Sequence, residues 1–268
     1  MSVEQRVLAA LRREQTDHVP VFLYLNPYVD TDWYSRDPSY ADVLQACRRY
    51  ADVIYDWGFP SGFFHTAAPL KQESRPLADG VTEHIVHTPA GPLSSRTRAD
   101  WRGGGTVKRW LCEPCDVERL LSLPYVPLRP DLAAVQQARA AASGKWVVQL
   151  TFEDPICTAG LIDEMALPLW TIEHRGMLKA LLDVAFERIL DELRYCLENG
   201  AGPIYYFNGP EYALPPLMSP QDFEEFVVAY DRKLVELGIP TPATTSSCTA
   251  TGGSASSWRD LRSSGLTA

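Results

Sequence analysis

Between Lys145 and Leu237 the hydrophobic pattern alternates between strand and helix periods, and that alternation limits the possible folds more than any other feature. Lys145–Phe152 is a short apolar run rich in β-branched and aromatic residues. Met177–Asn199 is a long amphipathic stretch closed by the stop signal Asn199-Gly200. Pro203–Phe207 is short and apolar again. Ser219 then caps a helix, Gln221–Leu237, in which Phe223, Phe226, Val227 and Tyr230 recur at helical spacing. Strands separated by helices of this length lie parallel and are joined by right-handed crossovers.

The same alternation is expected upstream. Val3–Glu14 reads as a surface helix with Val7, Leu8 and Leu11 inward, and Val19–Leu25 as a first, buried strand. Tyr40–Tyr50 reads as a helix with Val43, Leu44 and Cys47 inward, and Asp52–Asp56 as a second strand. Val81–Arg98 alternates about Thr88-Pro-Ala-Gly91, which predicts an inserted β-hairpin. Helices are expected at Asp116–Leu121 and Pro130–Ala142. The fold class is therefore α/β, with four parallel strands: half of a (β/α)8 TIM-type barrel, or a doubly wound sheet. No Gly-x-Gly-x-x-Gly or P-loop follows any strand, which argues against the nucleotide-binding versions of the latter.

After Leu237 the periodicity stops. About two-thirds of residues 239–268 are Ser, Thr, Ala or Gly, and no strand or helix pattern is visible. The chain is expected to divide into an incomplete barrel domain, 1–237, and a non-native or disordered tail, 238–268. One origin for such a tail is a shifted reading frame. Codons for Thr-Ser-Ser-Cys-Thr-Ala-Thr-Gly can be chosen so that the next frame reads Leu-Leu-His-Cys-His-Gly. Sequencing the gene tests this.

The net charge of -9 argues against a general nucleic-acid binder. No run of 18 or more apolar residues is present, and Met1–Asp17 is too charged for a signal peptide. Six cysteines at irregular spacing fit reduced thiols, so a cytoplasmic location is expected. Cys112 and Cys115 form one Cys-x-x-Cys pair without the second pair a structural zinc would need. His84 and His87 fall on opposite faces of their strand.

The candidate site residues sit where strands end, the position of functional groups in parallel barrels. Asp56, Asp154 and Glu211 follow or close three strands and are the candidate catalytic carboxylates, for acid/base work or for accepting a ligand proton. Glu153, Asn208, His65 and Tyr206 are the candidate substrate contacts. Glu153 and Asp154 are adjacent, so at most one of them faces a pocket directly. Each carboxylate could instead serve its own loop as a cap or turn former.

Several ordered segments resemble the uroporphyrinogen decarboxylase superfamily, which includes zinc- and corrinoid-dependent methyltransferases. They are Arg6–Arg12 with Asp17-His-Val-Pro-Val21, Tyr50–Asp56, Thr88–Leu93, Phe152–Ala159 and Pro215–Phe226. The resemblance implies a (β/α)8 barrel with its site at the C-terminal strand ends, of which this chain supplies about four strands. It matches Asp56 to an aspartate of the decarboxylases. Where those enzymes carry substrate-holding arginines, Leu23–Tyr28 has none, and Leu161 stands near the place of a tyrosine. The methyltransferase-like branch is therefore expected for the parent, with zinc and a corrinoid as its possible cofactors and a small molecule or corrinoid protein as partner. The strand carrying that branch's zinc site is missing, so little activity is expected from this chain. Tetrapyrrole decarboxylation is the alternative. So is a non-catalytic half-barrel that pairs with a separate half. An open strand edge is expected to favour dimers or aggregation.

Overall fold

The apolar runs at Asp52–Asp56, Lys145–Phe152 and Pro203–Phe207 are strands in the computed structural model, which describes residues 1–22, 25–28, 33–59, 62–100, 103–215, 217–238 and 245–249. They correspond to β1 (Val53–Gly58), β6 (Trp146–Glu153) and β7 (Ile204–Asn208), which with β8 (Thr245–Thr249) form a parallel sheet in the order β1-β6-β7-β8. A second, antiparallel sheet is inserted after β1. It runs β2 (Lys71–Pro76), β3 (Val81–Thr88), β4 (Gly91–Asp100) and β5 (Gly103–Lys108). The expected hairpin is β3–β4, turning where Thr88 pairs with Gly91. The molecule is thus a mixed α/β fold with one parallel and one antiparallel sheet.

The helices are α1 (Val3–Leu11), α2 (Ala41–Tyr50), α3 (Pro114–Leu121), α4 (Leu132–Ala142), α5 (Ala166–Glu173), α6 (Arg175–Glu198), α7 (Pro220–Phe223) and α8 (Ala229–Gly238). A π-helical turn, Glu224–Val228, joins α7 to α8. Among the described residues no helix is long and apolar enough to cross a membrane.

Alternate residues of the parallel strands face opposite ways. The outer set, Tyr55, Trp57, Val148, Leu150, Phe152, Tyr205 and Phe207, joins Leu178, Leu181, Leu182, Ile189 and Leu193 of α6 in the main core. Phe152 lies at its centre, its ring 5.5 Å from Phe59 and 5.8 Å from Phe207. The inner set begins with a separate apolar cluster at the strand bases, where Ile54, Val147 and Ile204 meet Val3, Val7, Leu8 and Leu11 of α1. A capping box of Ser2 and Gln5 starts α1. Its buried Arg6 donates to Asp17 at 2.6 and 2.9 Å and to Asp52, just before β1. This links α1 to the foot of the sheet.

Several expectations are corrected. Val19–Leu25 is not a buried strand: Val19 is 79% and Val21 48% exposed, and Val21 bonds Asp52 just before β1, where Asp52 N–H donates to Val21 O at 2.8 Å and Val21 N–H donates to Asp52 Oδ2 at 3.3 Å. Pro20 has no N–H for a ladder, which explains the failure; Leu23 and Tyr24 lie outside the described residues. Val43 points outward, 43% exposed, while Leu44 and Cys47 are buried. Beyond Gly238 the backbone of Thr245–Thr249 pairs with Ile204–Asn208, although no strand pattern is visible there in the sequence. Backbone ladders need no side-chain alternation, and β7 offers a row of free peptide groups. The remainder of the tail lies outside the described residues.

Candidate functional site

The inner face turns polar immediately above the α1 cluster. Parallel register puts Asp56 beside Gln149, Thr151 beside Tyr206, and Glu153 beside Asn208. Asp56 Oδ1 accepts from Gln149 Nε2 at 2.6 Å and from Thr151 Oγ1 at 3.1 Å. Asp56, Glu153 and Asn208 are exposed and Tyr206 is half-buried. Four of the seven predicted site residues therefore share one face, in a row that rises toward the C-terminal strand ends. No residue of β1, β6 or β7 on this face is basic: the set is Ile54, Asp56, Gly58, Val147, Gln149, Thr151, Glu153, Ile204, Tyr206 and Asn208.

Asp154 behaves differently. It caps a 3-10 turn, Pro155–Leu161, accepting from Ile156 N–H at 3.0 Å, and its own N–H donates to Asn208 O at 3.1 Å. The residue is 1% exposed. Burial, and then the neighbouring carboxyl of Asp231, push it well above the usual carboxylate range. Neighbouring buried carboxyls disfavour each other's charge. Asp154 thus holds the turn after β6 against the end of β7 and does not present its carboxyl to the inner face. Asp231 escaped sequence reading. The available signal was its spacing, four residues after Val227 on the apolar stripe, where a carboxylate needs a partner.

Glu211 lies in the turn Pro210–Ala213 after β7 and is exposed at the rim. Its carboxylate adds to the electrostatic load on Asp154 and on Cys157. Gly209 makes this approach possible. It has φ +98°, and a Cβ there would lie 2.8 Å from Glu211 Oε2 and 3.0 Å from Cys157 Sγ. The Cys157 thiol donates to Asn208 O at 3.0 Å, and burial, followed by Asp154, pushes it far above its ordinary value. It is not an activated nucleophile.

His65 is exposed and stands apart from the inner row. It lines an open cleft between the loop after β1, the end of β6, Tyr125 and α6. Glu153 and Asp154 border this cleft as well. Two of its residues, Arg188 and Glu192 of α6, were not foreseen; burial lowers the Arg188 guanidinium and raises the Glu192 carboxyl to about 7. Their polar types at i, i+4 on an amphipathic helix read as a solvated face.

Among the described residues no group of three or more His, Cys, Asp or Glu side chains is placed to hold a metal ion. Cys112 donates to Arg109 O at 3.4 Å and Cys115 is exposed, both as free thiols. The described residues therefore do not form a zinc centre.

No family model and no curated protein matches the chain. Among solved structures it is similar to a methyltransferase from Methanosarcina mazei, at 16% identity and a TM-score of 0.56, over 99% of this chain and 74% of that one. That likeness is one of fold.

Proposed function

We propose that this chain carries half the strands of a (β/α)8 barrel of the uroporphyrinogen decarboxylase superfamily, in its methyltransferase-like branch, with a small-molecule or corrinoid site on the inner face of the parallel sheet. The observation that carries the reading is the polar row Asp56, Gln149, Thr151, Tyr206, Glu153 and Asn208, raised on an apolar base and free of basic residues. An acidic face without guanidinium groups opposes a tetrapyrrole bearing many carboxylates, because like charges are brought together without compensation. It suits a neutral or cationic ligand that donates hydrogen bonds. Similarity to a methyltransferase fold supports the same branch.

In this reading Asp56 is the acceptor for a substrate N–H or O–H, held in place by Gln149 and Thr151. Tyr206 and Asn208 supply a hydroxyl and an amide on the neighbouring strand, and Glu153 and Glu211 act at the rim. Asp154 is a positioning residue that fixes the loop after β6. No step is routed through zinc.

Equilibrium dialysis of the purified chain against methylcobalamin, and separately against uroporphyrin, tests the proposal. Saturable retention of methylcobalamin, weakened by about ten-fold or more in Asp56→Ala, is expected. Tighter retention of uroporphyrin would favour the decarboxylase branch. Retention of neither by folded protein would leave a non-catalytic half-barrel.

A further inference from the structure

We infer that the cleft beside α6 is a binding site for a small carboxylic acid, whose carboxylate is held by the Arg188 guanidinium. Arg188 is clamped between two rings, its guanidinium carbon 4.5 Å from the Phe63 centroid and 4.0 Å from the Tyr125 centroid. One N–H donates to Phe63 O at 3.4 Å. Rings cover the faces of a guanidinium but leave its N–H edges to other acceptors.

Among the described residues no carboxylate meets those edges. Arg6, Arg109, Arg119, Arg129 and Arg175 each hold a carboxylate. Among the described residues Arg188 forms no ion pair, and the one group whose charge bears on it is the Tyr125 phenol. A half-buried guanidinium has lost part of its hydration, so a fork left unpaired in a cleft is an affinity waiting for an oxyanion.

The lining selects which oxyanion. Two in-plane oxygens of a carboxylate match the fork. Glu153 and Glu192 line the same space, and they repel a phosphate dianion more strongly than a monoanion. A hydroxyl or amino group on the ligand would satisfy Glu153 at the other end of the cleft. Lactate is a suitable probe. The cleft meets the inner face at Glu153 and Asp154, and the test is read at Arg188, which has no part in the function proposed above, so the two readings fail separately.

Calorimetric titration of the full chain with sodium lactate, and with inorganic phosphate in a second arm, tests the inference. Saturable, millimolar lactate binding is expected, weakened about ten-fold or more in Arg188→Gln and unchanged in Arg129→Gln, a control charge paired with Asp191. Arg188→Lys, which keeps charge and loses the fork, should also weaken it. If the variants misfold by circular dichroism, the Arg188 Nε resonance of the wild-type chain must shift on adding lactate. Absence of saturable binding, equal loss in Arg129→Gln, stronger phosphate binding, or an unmoved Nε resonance would each overturn the assignment.

Discussion

Neighbouring residues along β6 and β7 live in opposite environments. Leu150, Phe152, Tyr205 and Phe207 on the outer face are between 0 and 2% exposed, whereas Glu153 and Asn208, the next residue in each strand, are open to solvent. One face supplies packing energy and the other carries polar side chains open to solvent. Strands in closed parallel barrels are packed on both faces. Here the inner face is apolar only at its foot, where α1 covers it. The contrast teaches that burial and polar exposure are separable on this sheet, a residue at a time.

The strongest challenge to that contrast is Phe152→Ala. Phe152 is fully buried against three aromatic rings, and its truncation should cost about 3–5 kcal/mol in urea unfolding. A loss under about 1 kcal/mol would mean that the outer face is not the packed one.

Glu192 probes the seam between the helix layer and the cleft. Burial raises its carboxyl from 4.5 to about 7, so its contribution is fully present below the unfolded value and declines as pH rises toward 7. Glu192→Gln cannot ionise and escapes that decline. The variant should gain about 1–3 kcal/mol over wild type between pH 4.5 and pH 8, read from denaturant midpoints. A gap that does not change with pH would place Glu192 in solvent.

The smallest effect belongs to the inner face. Asp56→Asn keeps an acceptor oxygen at an exposed site and should shift stability by less than about 0.5 kcal/mol. A cost of several kcal/mol would make Asp56 a structural residue and erase the distinction between faces.

Legibility in the sequence followed the same division. Outer-face strands and α6 were visible because burial writes itself as apolar period, and the inner-row candidates were visible because they punctuate strand ends. Val19–Leu25 misled, since its apolar content matches a strand while Pro20 forbids the ladder. The polar strand Lys71–Pro76 and the glycine-rich strand Gly103–Lys108 carry no such period, because the sheet they edge is largely solvent-exposed. Thr245–Thr249 joins β7 in a backbone ladder that no side-chain period announces. Asp154 and Asp231 come from distant segments, and only folded geometry makes them neighbours.

The link from Arg6 to Asp52 has a further consequence. Without α1 the polar row would be a trough open at both ends, and water could run its whole length. With α1 seated the foot of that face is closed, and the polar row is open only above Ile54 and Ile204 and along the sheet edges. The residues that close it are among the first in the chain. Val7 packs on Ile204, so loosening the amino-terminal helix would wet the base of a face to which it contributes no polar group.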